Sequence, residues 1–216
     1  MKIYFVPDML ETIIFDIDST LYTNKDYERE QVDCQIRHYA DVTGIPHAQA
    51  REKINNFRLE WKKQHQGADI SLGNTFIALG VPIEESIRWR EQFLEPKLFL
   101  AKDERLVKTL FLLKKRFKLI CVTNNPEIPA RKTLVVLGVN DFFPEIVALD
   151  TCKVSKPHPL PFELAAQKTQ TKPSRCVSIG DRYHIDISLP LELGMGGILV
   201  DGVQDVYKLP GILCNK

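Results

Sequence analysis

The chain contains no Cys-x-x-Cys pair, and its five cysteines, Cys34, Cys121, Cys152, Cys176 and Cys214, are scattered along it. An odd, unpatterned set argues against a disulfide framework and for reduced thiols in a cytoplasmic protein. Cys121 and Cys176 sit inside apolar runs, which marks them as small core residues rather than nucleophiles. Neither sign of charge is in excess. Lys plus Arg number 29 and Asp plus Glu number 28, for a formal charge of +1. Nothing in that balance points to nucleic acid or an anionic membrane as the main partner. No apolar run is long enough to span a bilayer. The N-terminus lacks a basic segment followed by a long apolar stretch and a cleavage site, so no signal peptide is expected. The five histidines show no zinc-ligand spacing. Repeats and low-complexity tracts are absent, and nothing specifies an oligomeric state.

What is present is a substantial apolar content, 44% of 216 residues. That suits one domain carrying a large insertion, or two small domains. The most informative stretch is Ile13-Ile14-Phe15-Asp16-Ile17-Asp18-Ser19-Thr20-Leu21. Its apolar run reads as a buried strand over 12–18, with two carboxylates one residue apart where the chain leaves the sheet. In an open parallel sheet, ligands bind at the carboxyl ends of the strands. Two adjacent acids repel unless a cation or a shared proton relieves them. A solvated acidic turn would be the plainer reading of a lone Asp-x-Asp, but three further polar constellations follow, each at the end of an apolar run.

From Asn24 to about Glu95 the chain is polar, with apolar residues such as Val32, Ile36, Tyr39 and Ala40 at helical spacing. Gly44-Ile45-Pro46, Gly67 and Gly80-Val81-Pro82 break it into several helices. This reads as a helical domain inserted after the first strand, leaving residues 1–23 and 96–216 as the core and 24–95 as the insertion. Strands and helices then alternate. Leu106 to Lys115 is helical, Lys118 to Thr123 a strand, and Ile128 to Leu137 a helix stopped by Gly138. Phe143 to Leu149 holds a short strand and Leu160 to Thr169 a helix. Arg175 to Asp181 is a strand, Ile187 to Leu193 a helix, and Gly197 to Val200 the last core strand. The pattern predicts an α/β fold, a mostly parallel sheet with helices on both faces.

Four strand ends collect Asp16 and Asp18, Thr123 and Asn124, Lys153 and Lys156, and Asp181 with Asp186 beyond it. This set suits phosphoryl transfer. A carboxylate can attack phosphorus, and a hard cation on oxygen ligands, normally Mg²⁺, can offset the charge shared with phosphate. A lysine and a hydroxyl can bind the equatorial oxygens, and a second carboxyl can protonate the leaving oxygen.

On these residues the chain resembles the haloacid-dehalogenase-like hydrolases, a Rossmann-like fold. Asp16-Ile17-Asp18-Ser19-Thr20-Leu21 fits the first motif, and Val122-Thr123-Asn124 the second. Lys156 in Lys-Pro-His-Pro-Leu-Pro-Phe fits the third, and Gly180-Asp181 through Asp186 the fourth. Gly194-Met195 is also typical of the family, and the inserted helices resemble its cap domain. The resemblance implies a Mg²⁺-dependent phosphatase acting on a small soluble phosphomonoester, with nucleoside 5′-monophosphates one candidate class. It makes Asp16 the nucleophile that forms an aspartyl-phosphate and Asp18 the general acid and then base. Thr123, Asn124 and Lys156 would bind phosphate. Asp16, the Asp18 carbonyl, Asp181 and Asp186 would form the metal site, Asp186 through water or by orienting Lys156. The cap would close over the site and select the ester. Ser19 stands where glycine is commonest, and with Tyr22 it leans toward the pyrimidine 5′-nucleotidase type.

Plainer roles suit other polar residues. Lys153 reads as a solvent-facing loop lysine, His158 and His184 as loop histidines, and Arg58, Trp61, Lys62 and Lys63 as an amphipathic surface. Lys114-Lys115-Arg116 suits a helix C-terminus. A phosphomutase on the same fold, or a catalytically silent binding protein, is the alternative. A dehalogenase would have no need of a metal or of the second aspartate.

Overall fold

A computed structural model describes residues 1–65, 67 and 70–214. The chain divides into two compact units, one made of Met1–Lys25 with Glu95–Lys216, the other of Asp26–Leu94.

The first unit is built on a six-stranded sheet. Its strands are β1 (Lys2–Phe5), β2 (Thr12–Phe15), β3 (Lys118–Val122), β4 (Ile146–Val147), β5 (Cys176–Gly180) and β6 (Gly196–Leu199). Their spatial order is β1-β6-β5-β2-β3-β4. All neighbours run parallel except β1, which pairs antiparallel with β6 at the edge. Every residue of β2 and β5 is buried. Such near-continuous burial requires cover on both faces of the sheet, which is why these strands are apolar runs rather than alternating ones. Ile14, Ile120, Val122, Val147 and Phe162 form one core cluster with Met195. Each side chain of this size contributes roughly 1.5–3 kcal/mol by leaving water.

The strand order decides where a ligand can sit. The chain moves from β2 outward through β3 to β4, then returns to β5 on the other side of β2. The crevice at such a reversal, beyond the carboxyl ends, is the natural site of an open α/β sheet. Phe15 is level with Cys121 on one side and Ile179 on the other, so the chains leave β3, β2 and β5 side by side.

The second unit holds α1 (Lys25–Thr43), α2 (His47–Gln64), α3 (Leu72–Ala78) and α4 (Ile83–Phe93). The expected breaks occur, with Gly44, Gly67 and Gly80 all at positive φ (68°, 89° and 90°). Ile36, Tyr39, Ala40, Ala50, Ile54, Phe76 and Trp89 form this unit's own core. Val32, at helical spacing with them, is instead on the surface at 36% exposure.

Returning to the first unit, the remaining helices are α5 (Glu104–Lys114), α6 (Glu127–Leu137), α7 (Leu149–Cys152), α8 (Pro159–Lys168), α9 (Ser188–Glu192), α10 (Val203–Val206) and α11 (Leu209–Leu213). Gly138 caps α6 in the left-handed region at φ 77°, which only glycine enters without a Cβ penalty. Three differences from the sequence reading stand out. β1 is a short strand that no periodicity announces, since three of its four residues are exposed. β2 ends at Phe15, so Asp16 and Asp18 lie beyond the strand and not within it. The helix expected from Ile187 is preceded by a wide π-type turn, Tyr183–Ile187, before α9 begins. Such turns are frequent at functional sites, and this one carries Asp186. Among the described residues no helix is long and apolar enough to cross a membrane.

Candidate active site

Asp16 follows directly on β2 and is 3% exposed. Its N–H donates to Ile179 O at 2.9 Å, which ties it to β5. Lys156 Nζ donates to Asp16 Oδ1 at 2.6 Å and to Asp186 Oδ1 at 2.6 Å. Thr20 Oγ1 reaches Asp16 Oδ2 at a looser 3.4 Å. One oxygen each from Asp16, Asp181 and Asp186 lie within 4.8 Å of one another. The structure thus brings three of the expected carboxylates and the expected lysine into one cluster, in which Asp16, Asp186 and Lys156 are buried and Asp181 is partly exposed.

The electrostatics follow from that crowding. Burial pushes the Asp181 carboxyl up and the charge of Asp16 adds to it, to a value of about 7, against a partial offset from Arg182. Burial raises Asp186 as well, with Lys156 opposing the rise. For Lys156, burial disfavours the ammonium, but Asp16 and Asp186 outweigh it and the pKa is raised. The lysine therefore stays charged throughout the neutral range.

Asp181 Oδ1 is buried and accepts no hydrogen bond among the described residues. Arg182 Nε lies 3.5 Å from it, too long for a good hydrogen bond, so this buried oxygen keeps a lone pair for a closer cation. The donor set is all oxygen, which suits a hard divalent cation. The cluster could thus hold a metal. Asp186 is the least available to it. Its Oδ1 takes Lys156 and its Oδ2 accepts from Arg182 N at 3.1 Å. Ser178 Oγ further anchors the Asp186 carbonyl at 2.7 Å. Gly180 makes room for this residue, since a Cβ there would lie 2.3 Å from Asp186 Cβ.

Asp18 is half-buried and stands outside the three-carboxylate group. Tyr22 Oη donates to its Oδ1 at 2.6 Å, and Asn125 Nδ2 to its Oδ2 at 2.8 Å. Between Asp18 and Tyr22 the chain folds back tightly, with Ser19 at φ 59° and Leu21 N bonded to Ile17 O at 2.9 Å. A left-handed residue here explains why glycine would suit this position. Serine in that region costs on the order of 1 kcal/mol.

Thr123 follows directly on β3, 3% exposed, and its Oγ1 accepts from Asn125 N at 3.1 Å. Accepting there leaves the hydroxyl proton to be donated elsewhere. Asn124 is turned to the backbone of Lys156. Its Oδ1 accepts from Lys156 N at 2.7 Å and its Nδ2 donates to Lys156 O at 3.2 Å. Its side chain thus secures the loop that carries the lysine. Lys153 is exposed and caps α7 in the left-handed region, φ 54°. His158 caps α8, its Nδ1 accepting from Leu160 N at 3.2 Å. His184 is exposed, edge-on to Tyr183. In the helical unit, Trp61 stacks on His65 at 3.7 Å and Arg58 donates to Ile70 O.

Thr20, Asn125, Ser178 and Arg182 belong to this constellation too: Thr20 and Arg182 sit within the first and fourth motifs without an assigned role, and Asn125 and Ser178 lie outside the motifs. The signal for two of the contacts was local: Thr20 and Tyr22 each stand four residues after the aspartate they bond. Asn125 has no such signal, because Asp18 lies 107 residues away in sequence.

Comparison with known proteins bears on what this geometry is for. Residues 10–192 match the haloacid dehalogenase-like hydrolase family. A pyrophosphatase PpaX from Bacillus pumilus is 30% identical over 179 residues, 81% of this chain and 76% of that protein. A glyceraldehyde 3-phosphate phosphatase from Methanothermobacter thermautotrophicus is 26% identical over 89% of this chain and 86% of its own length. The crystal structure of a HAD phosphatase from Thermococcus onnurineus superposes with a TM-score of 0.68 at 20% identity, covering 94% of this chain and 98% of that one. That last likeness speaks for the fold. The family match runs through both the sheet unit and the helical one, and it includes all four polar strand ends; the chain therefore belongs to the haloacid dehalogenase-like hydrolase family and is an enzyme of it.

Proposed function

We propose that this enzyme hydrolyses a small soluble phosphomonoester, with Mg²⁺, through an aspartyl-phosphate on Asp16. The observation that supports this best is the pairing of Asp16 with Lys156, beside an Asp181 Oδ1 that accepts no hydrogen bond and has Arg182 Nε at 3.5 Å, at the carboxyl end of the sheet. A buried carboxylate held by an ammonium is fixed and aimed, which a nucleophile requires.

Each residue then has a task. An Asp16 oxygen attacks phosphorus, and the bond from phosphorus to the ester oxygen breaks. Asp18 gives its proton to that departing oxygen. Asp18, now a carboxylate, takes a proton from water as the water attacks the phosphoryl group. The Asp16–phosphorus bond breaks, releasing inorganic phosphate and restoring Asp16. Lys156 and the Thr123 hydroxyl bind the phosphoryl oxygens as charge shifts among them. Asn124 serves that step through the Lys156 backbone, whatever further contact it makes to phosphate. Asp16, the Asp18 carbonyl and Asp181 would hold Mg²⁺, with Asp186 acting through Lys156. When bound, the cation offsets the charge shared by carboxylate and phosphate. The five free thiols suit a reducing, cytoplasmic setting.

Residues 24–95 are assigned the choice of ester. The names of the relatives point to compact substrates such as glyceraldehyde 3-phosphate, and nucleoside 5′-monophosphates belong in the same screen. Purified protein with Mg²⁺ should release phosphate from 4-nitrophenyl phosphate and from some members of a metabolite panel, and should stop in excess chelator. Asp16→Asn should lower turnover at least ~10³-fold with the fold intact. Near-normal turnover by that variant would rule out the covalent route. Exchange of residues 24–95 for those of a relative should change the preferred ester while Asp16 stays essential; unchanged selectivity would end the assignment.

A further inference from the structure

The Asp18 carboxylate is gripped from two sides by residues that no catalytic motif names. Tyr22 Oη donates to one oxygen at 2.6 Å and Asn125 Nδ2 to the other at 2.8 Å. Tyr22 is 3% exposed, so its ring is fixed by packing and its hydroxyl cannot wander. It is delivered to Asp18 by the tight turn through Ser19, whose φ of 59° folds the chain back within four residues. Asn125 is equally constrained. Its N–H donates to Thr123 Oγ1 at 3.1 Å and its carbonyl accepts from Leu149 N at 3.1 Å. One residue thus sets both the Asp18 carboxylate and the Thr123 hydroxyl.

We infer that Tyr22 and Asn125 are positioning residues for Asp18, holding its carboxyl plane in the orientation from which a proton is handed to the departing ester oxygen. The inference rests on the phosphatase reading above. A carboxyl group on a half-buried loop would otherwise rotate about two bonds, and proton transfer to a leaving oxygen requires hydrogen-bond distance and alignment in the transition state. Two donors on opposite oxygens remove that freedom. The grip should therefore matter in proportion to how much the leaving group needs a proton. A phenolate that leaves well as an anion needs little help, and a more basic one needs much.

The test uses the full chain with Mg²⁺ and a series of phenyl phosphates carrying 4-nitro, no, or 4-methyl substituent. The quantity read is kcat/KM, which reports events up to cleavage of the ester. Tyr22→Phe keeps the ring and removes the hydroxyl; Asn125→Ala removes the other donor. Each variant should lose roughly tenfold or more on the 4-methyl ester and less than about threefold on the 4-nitro ester, within the range that acid catalysis contributes. Tyr22→Phe added to Asp18→Asn should lower kcat/KM by less than about twofold further, because the two act as a unit. Equal losses across the series, or full additivity with Asp18→Asn, would assign Tyr22 a packing role and overturn the inference. Unchanged kinetics in both variants would overturn it as well. A wild-type enzyme inactive on all three esters would instead overturn the phosphatase reading on which it stands. Thermal unfolding of each variant separates a folding defect from these outcomes, and Tyr22→Phe, which conserves the buried volume, carries the decision.

Discussion

Lys156 and Asp16 stand 140 residues apart in sequence, yet Lys156 Nζ lies 2.6 Å from Asp16 Oδ1 with both side chains at 1–2% exposure. The contact joins the loop before α8 to the end of β2, the central strand of the sheet. Asp186 approaches the same ammonium from the other side at 2.6 Å. A single buried cation thus balances two carboxylates, with Asp181 beside them, and removing it leaves like charges facing one another.

Lys156→Met should therefore destabilise the protein as well as inactivate it. Breaking a buried ion pair by removing one partner costs about 3–5 kcal/mol, and under the proposed mechanism loss of the cation that meets phosphate costs roughly 10²–10³ in turnover. Because the Lys156 pKa is raised, the pair's contribution is fully present at neutral pH and is lost only as pH rises through the lysine's folded value. In the variant the orphaned carboxylates favour protonation, so its stability deficit should shrink as pH falls from 8 to 5. Urea unfolding at both pH values checks this; a deficit independent of pH would contradict it.

Asp181 gives a second pH dependence of known sign. Its carboxyl is pushed up by burial, and then by Asp16, from 3.8 to about 7. The folded protein thus binds more protons than the unfolded chain between those values. The favourable contribution is fully present below 3.8 and is lost as pH rises to about 7. In excess chelator, Asp181→Asn should melt higher than the wild type at pH 8, with the gap closing toward pH 5. Added Mg²⁺ should raise the melting temperature of the wild type and leave the variant unmoved. The reverse ordering in chelator would place Asp181 outside the strained cluster.

Gly180→Ala tests the close approach at the end of β5. The new Cβ would sit 2.3 Å from Asp186 Cβ and 2.5 Å from its Cγ. Neither atom is the far end of a flexible chain, so Asp186 must shift and its hold on Lys156 loosens. Overpacking of this kind costs typically 1–3 kcal/mol. Activity should fall together with stability, as read by denaturant unfolding and phosphate release. A variant with wild-type values in both would mean the loop relocates without cost.

The thiols should be quiet. Burial pushes Cys34 up to about 11 and Cys176 up to about 12, and holds Cys121 well above the usual thiol range. All three are buried. With almost no thiolate at pH 8, they should resist a disulfide reagent such as DTNB in the native protein and react on unfolding. Cys152 and Cys214, partly exposed, are the two that can label early. Rapid labelling of three or more thiols in the folded state would contradict this.

The sequence by itself determined the alternation of buried strands and helices, because burial on one or both faces leaves a periodic trace in neighbouring residues. It also determined that Asp16, Asp18, Thr123 and Asp181 lie just past strand ends, since each closely follows an apolar run that can only be interior, and it placed Lys156 and Asp186 in the loops beyond. Gly138 and the breaks at Gly44 and Gly80 were legible for a related reason: positive φ selects glycine locally. Only the tertiary structure decided which of these residues meet. Strand order β5-β2-β3 sets Asp181 beside Asp16, and no local period encodes that order. It turned the Asn124 carboxamide onto the backbone of Lys156, and brought Asn125 to Asp18 across 107 residues. It added β1, whose exposed edge position erases the alternation that would have announced it. Local pattern reports whether a side chain is buried, and long-range topology reports against what; the chemistry of this site depends on the second.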